Sequence, residues 1–223
     1  MAPTSVRSCC APSKASNLTG VPARGSKPET EPCDLEQVRL LVVSGPSGVG
    51  KGTVVAALAA ARDDVDVAVS ATTRPPRAGE VDGVHYHFLD DRAFDELARA
   101  GGFLERTVYN GYHYGTLWAS VRNALAEGRT LVLEIDVQGA LQVRDRFSDA
   151  VLVFLLPPSL PVLEARMRGR GTDDKATMAR RVALAQEELA LAGAFDYRVT
   201  NAQVDQAVAD LGRIVDAHCV KRR

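Results

Sequence analysis

The densest chemistry in the chain is Gly45-Pro46-Ser47-Gly48-Val49-Gly50-Lys51-Gly52-Thr53, which separates an apolar run from an Ala-rich one. Glycines at this spacing let successive backbone N–H groups turn inward around an anion, a following helix adds its positive end, and Lys51 reaches the outer phosphates of a nucleoside triphosphate. The pattern is a P-loop. It departs from the general form at one place: Gly52 stands where Ser or Thr supplies a hydroxyl to Mg²⁺, and Thr53 comes one residue later. A magnesium held mainly by phosphates and water, with one or two carboxylates nearby, suits this arrangement.

A second candidate site follows in Ser70-Ala71-Thr72-Thr73-Arg74-Pro75-Pro76-Arg77. Two arginines three residues apart, stiffened by prolines at the mouth of a strand, form a guanidinium pair suited to bidentate phosphate binding. Further on, Glu134 and Asp136 lie two residues apart at the end of the apolar run TLVLEID, so both project to one side where ligands of open α/β sheets gather. A cationic segment comes later, with Arg166, Arg168 and Arg170 ahead of Gly171-Thr172-Asp173-Asp174 and Arg180-Arg181 behind. His85, His87 and His113 read as surface or packing residues.

The elements that must hold these groups are legible as alternating short apolar runs and longer helical stretches, the pattern of crossover units on a parallel sheet. Strands are expected at 38–44, 65–71, 130–136, 150–156 and 197–201. Helices are expected at 53–62, 91–100, 118–127, 159–168, 175–192 and 204–220, two of them starting at the caps Asp90 and Ser159. Between Thr72 and Thr116 prolines, glycines and aromatic strand-like runs break the rhythm, which suggests an inserted small subdomain. Residues 1–37 carry almost no large apolar side chain and read as a disordered extension.

Composition supports one well-packed globular unit: of 223 residues 46% are hydrophobic and 25% charged, ordinary values for a globular chain. With 27 Lys+Arg against 28 Asp+Glu, the net charge of −1 argues against a mainly electrostatic nucleic-acid binder. No run approaches a membrane span or a secretory signal, so a cytoplasmic protein without membrane contact is expected. The cysteines Cys9, Cys10, Cys33 and Cys219 form neither a disulfide framework nor a zinc pattern.

Taken together, GPSGVGKGT, SATTRPPRAGEVDGVHYHF, FLE, YHYGT, LEIDVQG and RGRGTDD resemble the guanylate kinase family in order and spacing, over about residues 38–213. The resemblance implies a P-loop NTPase three-layer α/β fold with a central parallel sheet. In it, a core of 38–70 and 127–223 would carry a GMP-binding insertion at 71–126 and a lid near 166–181. It also implies transfer of the γ-phosphoryl group of ATP, with Mg²⁺, to GMP or dGMP. Matching positions give Arg74, Arg77, Tyr86 and Tyr114 to the GMP phosphate, and Ser70, Glu105, Thr116 and Asp136 to the guanine. Residues 45–53 go to ATP, and Lys51, Arg74, Arg166, Arg170 and Arg181 to catalysis. Either Glu134 or Asp136 could orient hydrated Mg²⁺, with Asp136 favoured for GMP. Guanine offers N1–H and an amino group beside an O6 acceptor, an edge that carboxylates and hydroxyls complement and that adenine lacks. The family's non-catalytic scaffolds typically lack a working P-loop, whereas Gly45, Gly50 and Lys51 are intact here.

Overall fold

The apolar run before the P-loop forms β1 (Leu40–Ser44), buried along its whole length because it is the middle strand of a five-stranded sheet. The structure, a computed structural model, describes residues 39–168 and 175–218. The extension expected at 1–37 and the middle of the expected lid, including Arg170, lie outside the described residues.

The chain leaves β1 through α1 (Lys51–Ala61) and returns as β2 (Val65–Val67); after the insertion, α3 (Trp118–Glu127) leads into β7 (Thr130–Glu134). Then α4 (Val137–Arg146), β8 (Val151–Leu156), α5 (Leu160–Arg168), α6 (Lys175–Ala190), β9 (Tyr197–Thr200) and α7 (Val204–His218) complete the core. The order is β2-β7-β1-β8-β9, every pairing parallel, with helices on both faces as near-continuous apolar strands require. One face packs Leu41, Val43, Val153 and Leu155 against Leu58, Leu163 and Leu211; the other packs Leu40, Val42, Leu133 and Phe154 against Val121, Ala140 and Phe195.

Within 71–126 a second sheet forms from β3 (Ala71–Thr72), β4 (His87–Phe88), β5 (Phe103–Tyr109) and β6 (Tyr112–Leu117), in the order β4-β3-β6-β5 and backed by α2 (Asp91–Arg99). Its own small core is Ala71, Phe94 and Phe103. Asp90 caps α2, its side chain accepting from the Ala93 N–H at 2.7 Å.

Three of the boundaries that differ from the sequence expectation bear on the site. The strand expected at 65–71 divides, its first half pairing with β7 and its end joining the second sheet. The strand expected to run to Asp136 stops at Glu134, because Asp136 caps α4, accepting from the Gly139 N–H at 2.7 Å. The helix expected from Thr53 starts at Lys51, directly after Gly50 at φ 98°.

Candidate active site

The carboxyl ends of β1 and β7 open into a cleft of about 790 Å³, walled on its other side by β5 and β6 and flanked by α6. Ser47 and Lys51 of the P-loop, Ser70, Arg74, Arg77, Tyr86, Glu105, Tyr114, Glu134, Asp136 and Arg181 all line it. Residues read from widely separated stretches of sequence, from Ser47 to Arg181, therefore meet in one cavity. Of the other expected residues, Thr116 stands behind Glu105, and Arg166 lies beneath the P-loop.

The phosphate cradle is held from below. A Cβ on Gly45, which has φ 141°, would come 2.5 Å from the Leu155 carbonyl oxygen, so the loop lies directly on β8. Asn201, at the end of β9, donates from Nδ2 to the Val49 carbonyl at 2.9 Å. Arg166 donates to the same carbonyl at 3.0 Å and to the Asn201 carbonyl at 3.0 Å. No side chain caps α1, so its first-turn N–H groups face the loop and are offered to an anion. The Lys51 ammonium folds over the loop, donating to the Gly45 carbonyl at 2.5 Å. Arg181 donates to the Ser47 hydroxyl at 3.0 Å and so ties α6 to the loop's rim.

Across the cleft, Arg74 is nearly buried, and Pro75 and Glu80 accept from its guanidinium at 2.7 and 2.9 Å. Burial opposes its charge, but hydrogen bonds with Glu80 and Tyr114 outweigh burial and leave its pKa raised. Glu80 also accepts the Arg77 N–H at 2.7 Å, so one carboxylate fixes the turn that carries both arginines. The Arg74 guanidinium stands 5.4 Å from the centre of the Tyr86 ring, which meets Tyr114 edge-on at 6.0 Å. Burial raises the Tyr86 hydroxyl's pKa. A fixed cation and two phenols so arranged can hold an anionic oxygen group.

Glu105 is 3% exposed on β5, just after a register irregularity in the β5–β6 pairing. Its Oε1 accepts from the Thr116 N–H at 2.8 Å and the Thr116 hydroxyl at 2.7 Å. Burial pushes its carboxyl up to about 7, against the hydrogen bonding from Thr116. Asp136 accepts the Thr107 hydroxyl on its second oxygen at 2.6 Å.

A side chain starting at Gly52 would meet the Glu134 carboxylate at 3.4 Å, so this carboxylate occupies the neighbourhood where a hydroxyl ligand usually stands. No cluster of three or more potential metal-ligating side chains occurs among the described residues. One hard oxygen donor beside a phosphate cradle fits a magnesium ion that arrives with nucleotide phosphates rather than one held by a protein cage.

Sequence reading missed four contributors. Thr107 and Tyr109 follow Glu105 at steps of two on the same face of β5, a period that marks them once Glu105 is placed. Glu188 lies seven residues from Arg181, two helical turns along the same face of α6. It is 8% exposed, and its Oε2 meets no protein partner among the described residues. Burial raises its pKa, with Lys51 opposing. Asn201 carries no local signal beyond its place at a strand end.

The model of the family described as guanylate kinase matches residues 37–218. The chain is 50% identical over 184 residues to a guanylate kinase of Leifsonia xyli, covering 82% of this chain and 71% of the relative. It is 51% identical over 177 residues to a guanylate kinase of Gloeobacter violaceus, covering 79% and 86%. The crystal structure of guanylate kinase from Anaplasma phagocytophilum superposes with a TM-score of 0.68 at 27% identity, covering 82% of this chain and 87% of that one.

Proposed function

Because the chain belongs to the guanylate kinase family, we propose that it phosphorylates GMP and dGMP at the expense of ATP, yielding ADP and GDP or dGDP. The observation that carries the reading is the convergence of Lys51, the Arg74–Tyr86–Tyr114 clamp and the buried Glu105 on one cleft. A triphosphate cradle, a monophosphate clamp and a base-reading carboxylate together specify two nucleotides and their relative orientation. The setting is purine nucleotide metabolism in the cytoplasm; no helix among the described residues is long and apolar enough to cross a membrane.

In this mechanism an oxygen of the GMP phosphate attacks the γ-phosphorus in line. The new P–O bond forms as the bond to the β,γ-bridging oxygen breaks, and ADP leaves with the electron pair. The nucleophile is already an anion, so no side-chain base is required, and the protein contributes alignment and charge neutralisation. Lys51 and the open start of α1 hold the β and γ phosphates, Arg74, Arg77, Tyr86 and Tyr114 hold the acceptor phosphate, and Arg181 leans over the loop between them. Arg166 acts beneath the loop through Val49 and Asn201. Magnesium would be held by the substrate phosphates with Glu134 toward its water shell, and supplies neutralisation of charge on the phosphate oxygens. Glu105 and Asp136 accept hydrogen bonds from the guanine edge, with Ser70 alongside and Thr116 fixing Glu105.

The test is ADP formation from ATP and Mg²⁺ against a panel of nucleoside monophosphates, with wild type, Lys51→Ala and Glu105→Ala. Strong turnover of GMP and dGMP alone, lost in both variants, is expected. Turnover of a different monophosphate, or of none, would overturn the assignment.

A further inference from the structure

We propose that Thr107 determines acceptor-base specificity by positioning Asp136, so that the enzyme distinguishes GMP from the corresponding monophosphate lacking the 2-amino group. The inference rests on the reading of the cleft as a GMP site. Thr107 stands one strand step beyond Glu105, facing the cleft, and its hydroxyl donates to Asp136 Oδ2 at 2.6 Å. The other oxygen, Oδ1, accepts the Gly139 N–H at 2.7 Å. One carboxylate is thus pinned from two directions, by a strand of the second sheet and by the start of α4. With one donor removed, the carboxyl is free to rotate about its last bond, since a single hydrogen bond to one oxygen leaves the plane of the group undetermined.

The neighbouring carboxylate is held by a different device. Glu105 spends Oε1 on the two Thr116 donors, while its Oε2 lies where a Cβ on Gly139 would approach to 2.6 Å. The two acidic groups repel each other, and the coulombic influence of Asp136 contributes to the raised Glu105 carboxyl. A hydroxyl donor on Asp136 offsets that repulsion and keeps the pair at a fixed spacing. Guanine presents its N1–H and 2-amino donors side by side, so two acceptors at fixed spacing match it. Hypoxanthine keeps N1–H and O6 but has no amino group, and would leave one of the two carboxylates without its partner. Donors on both Asp136 oxygens also favour base reading for this residue and leave the water shell of magnesium to Glu134.

The experiment measures kcat and KM for GMP and for IMP with wild type, Thr107→Val and Thr107→Ser, alongside KM for ATP and thermal melting. Valine keeps the strand-favouring shape and deletes only the hydroxyl. The expected result for Thr107→Val is a rise of roughly tenfold in KM for GMP with kcat nearly kept. IMP use should change little, so the GMP-to-IMP preference falls by the same factor, and Thr107→Ser should restore it. An unchanged preference, an equal loss for both acceptors, or no recovery with serine overturns the proposal. Failure of the wild type to use GMP would instead overturn the reading of the cleft, an outcome visible before any variant is compared.

Discussion

Gly139 is small for the sake of a neighbour: its missing side chain leaves the place that Glu105 Oε2 occupies. Packed this closely, the Glu105 carboxyl is held up to about 7 by burial, while in the unfolded chain it returns toward 4.5. The sign of two effects follows. Ionising Glu105 costs the unliganded fold stability as pH rises from the unfolded value through the folded one, so its contribution is largest in acid. On the proposed reading guanine needs an ionised acceptor at Glu105 rather than a carboxylic acid hydroxyl, so acceptor binding would move in the opposite direction. We expect KM for GMP to rise about tenfold per pH unit below 7 while KM for ATP stays level, and a pH profile of both constants checks it. A GMP profile flat from pH 8 to 6 would show that Glu105 stays ionised in the free cleft.

Among the elements, the underside of the P-loop is the place where small changes should have separable effects. Val49 offers one carbonyl to both Asn201 and Arg166, and Arg166 returns to the Asn201 backbone, so β9 and α5 jointly brace the loop. Asn201→Ala removes one of these bonds, worth about 1 kcal/mol. That should lower the melting temperature by roughly 2–4 °C in a chain of this size. KM for ATP should rise several-fold and KM for GMP barely move; an equal rise in both would show that the brace serves the whole cleft. This brace also marks where sequence reading stops. The P-loop, the Arg74–Arg77 turn and Asp136 stand in local patterns whose chemistry is specific, whereas Glu105 is reached only through the family resemblance. The five-stranded sheet was readable because strands buried on both faces must be apolar throughout. Asn201 and Glu188 were not, since their meaning comes from packing between elements distant in the chain. The turn at Asp136 was missed for a similar reason: the apolar run continues into α4, and only the capping bond shows where strand yields to helix.

The whole molecule divides its apolar stabilisation unequally. The five-stranded sheet has a large buried cluster on each face, whereas the second sheet rests on Ala71, Phe94 and Phe103 with a few half-buried neighbours. Fewer buried contacts mean a lower free energy of local opening. Amide hydrogen exchange should therefore be slowest in β1, β7 and β8 and faster in β3 to β6, and saturating GMP should slow β5 and β6 while leaving β1 unaffected. Uniform exchange across both sheets, or protection of β1 by GMP equal to that of β5, would refute this division.

The second sheet also has a consequence for redesign. The groups that would name the acceptor come from β5, β6 and the turns beside β3, with only Asp136 contributed by the five-stranded sheet and its connections. The groups that would grip the donor rise from β1, α1 and α6 over the brace supplied by β8, β9 and α5. Recognition of one nucleotide can therefore be rewritten by replacing a short, contiguous piece of chain, leaving the machinery that grips the other intact. The point to preserve in such a graft is the junction at Asp136, where the exchanged piece must supply a hydroxyl donor in the position of Thr107.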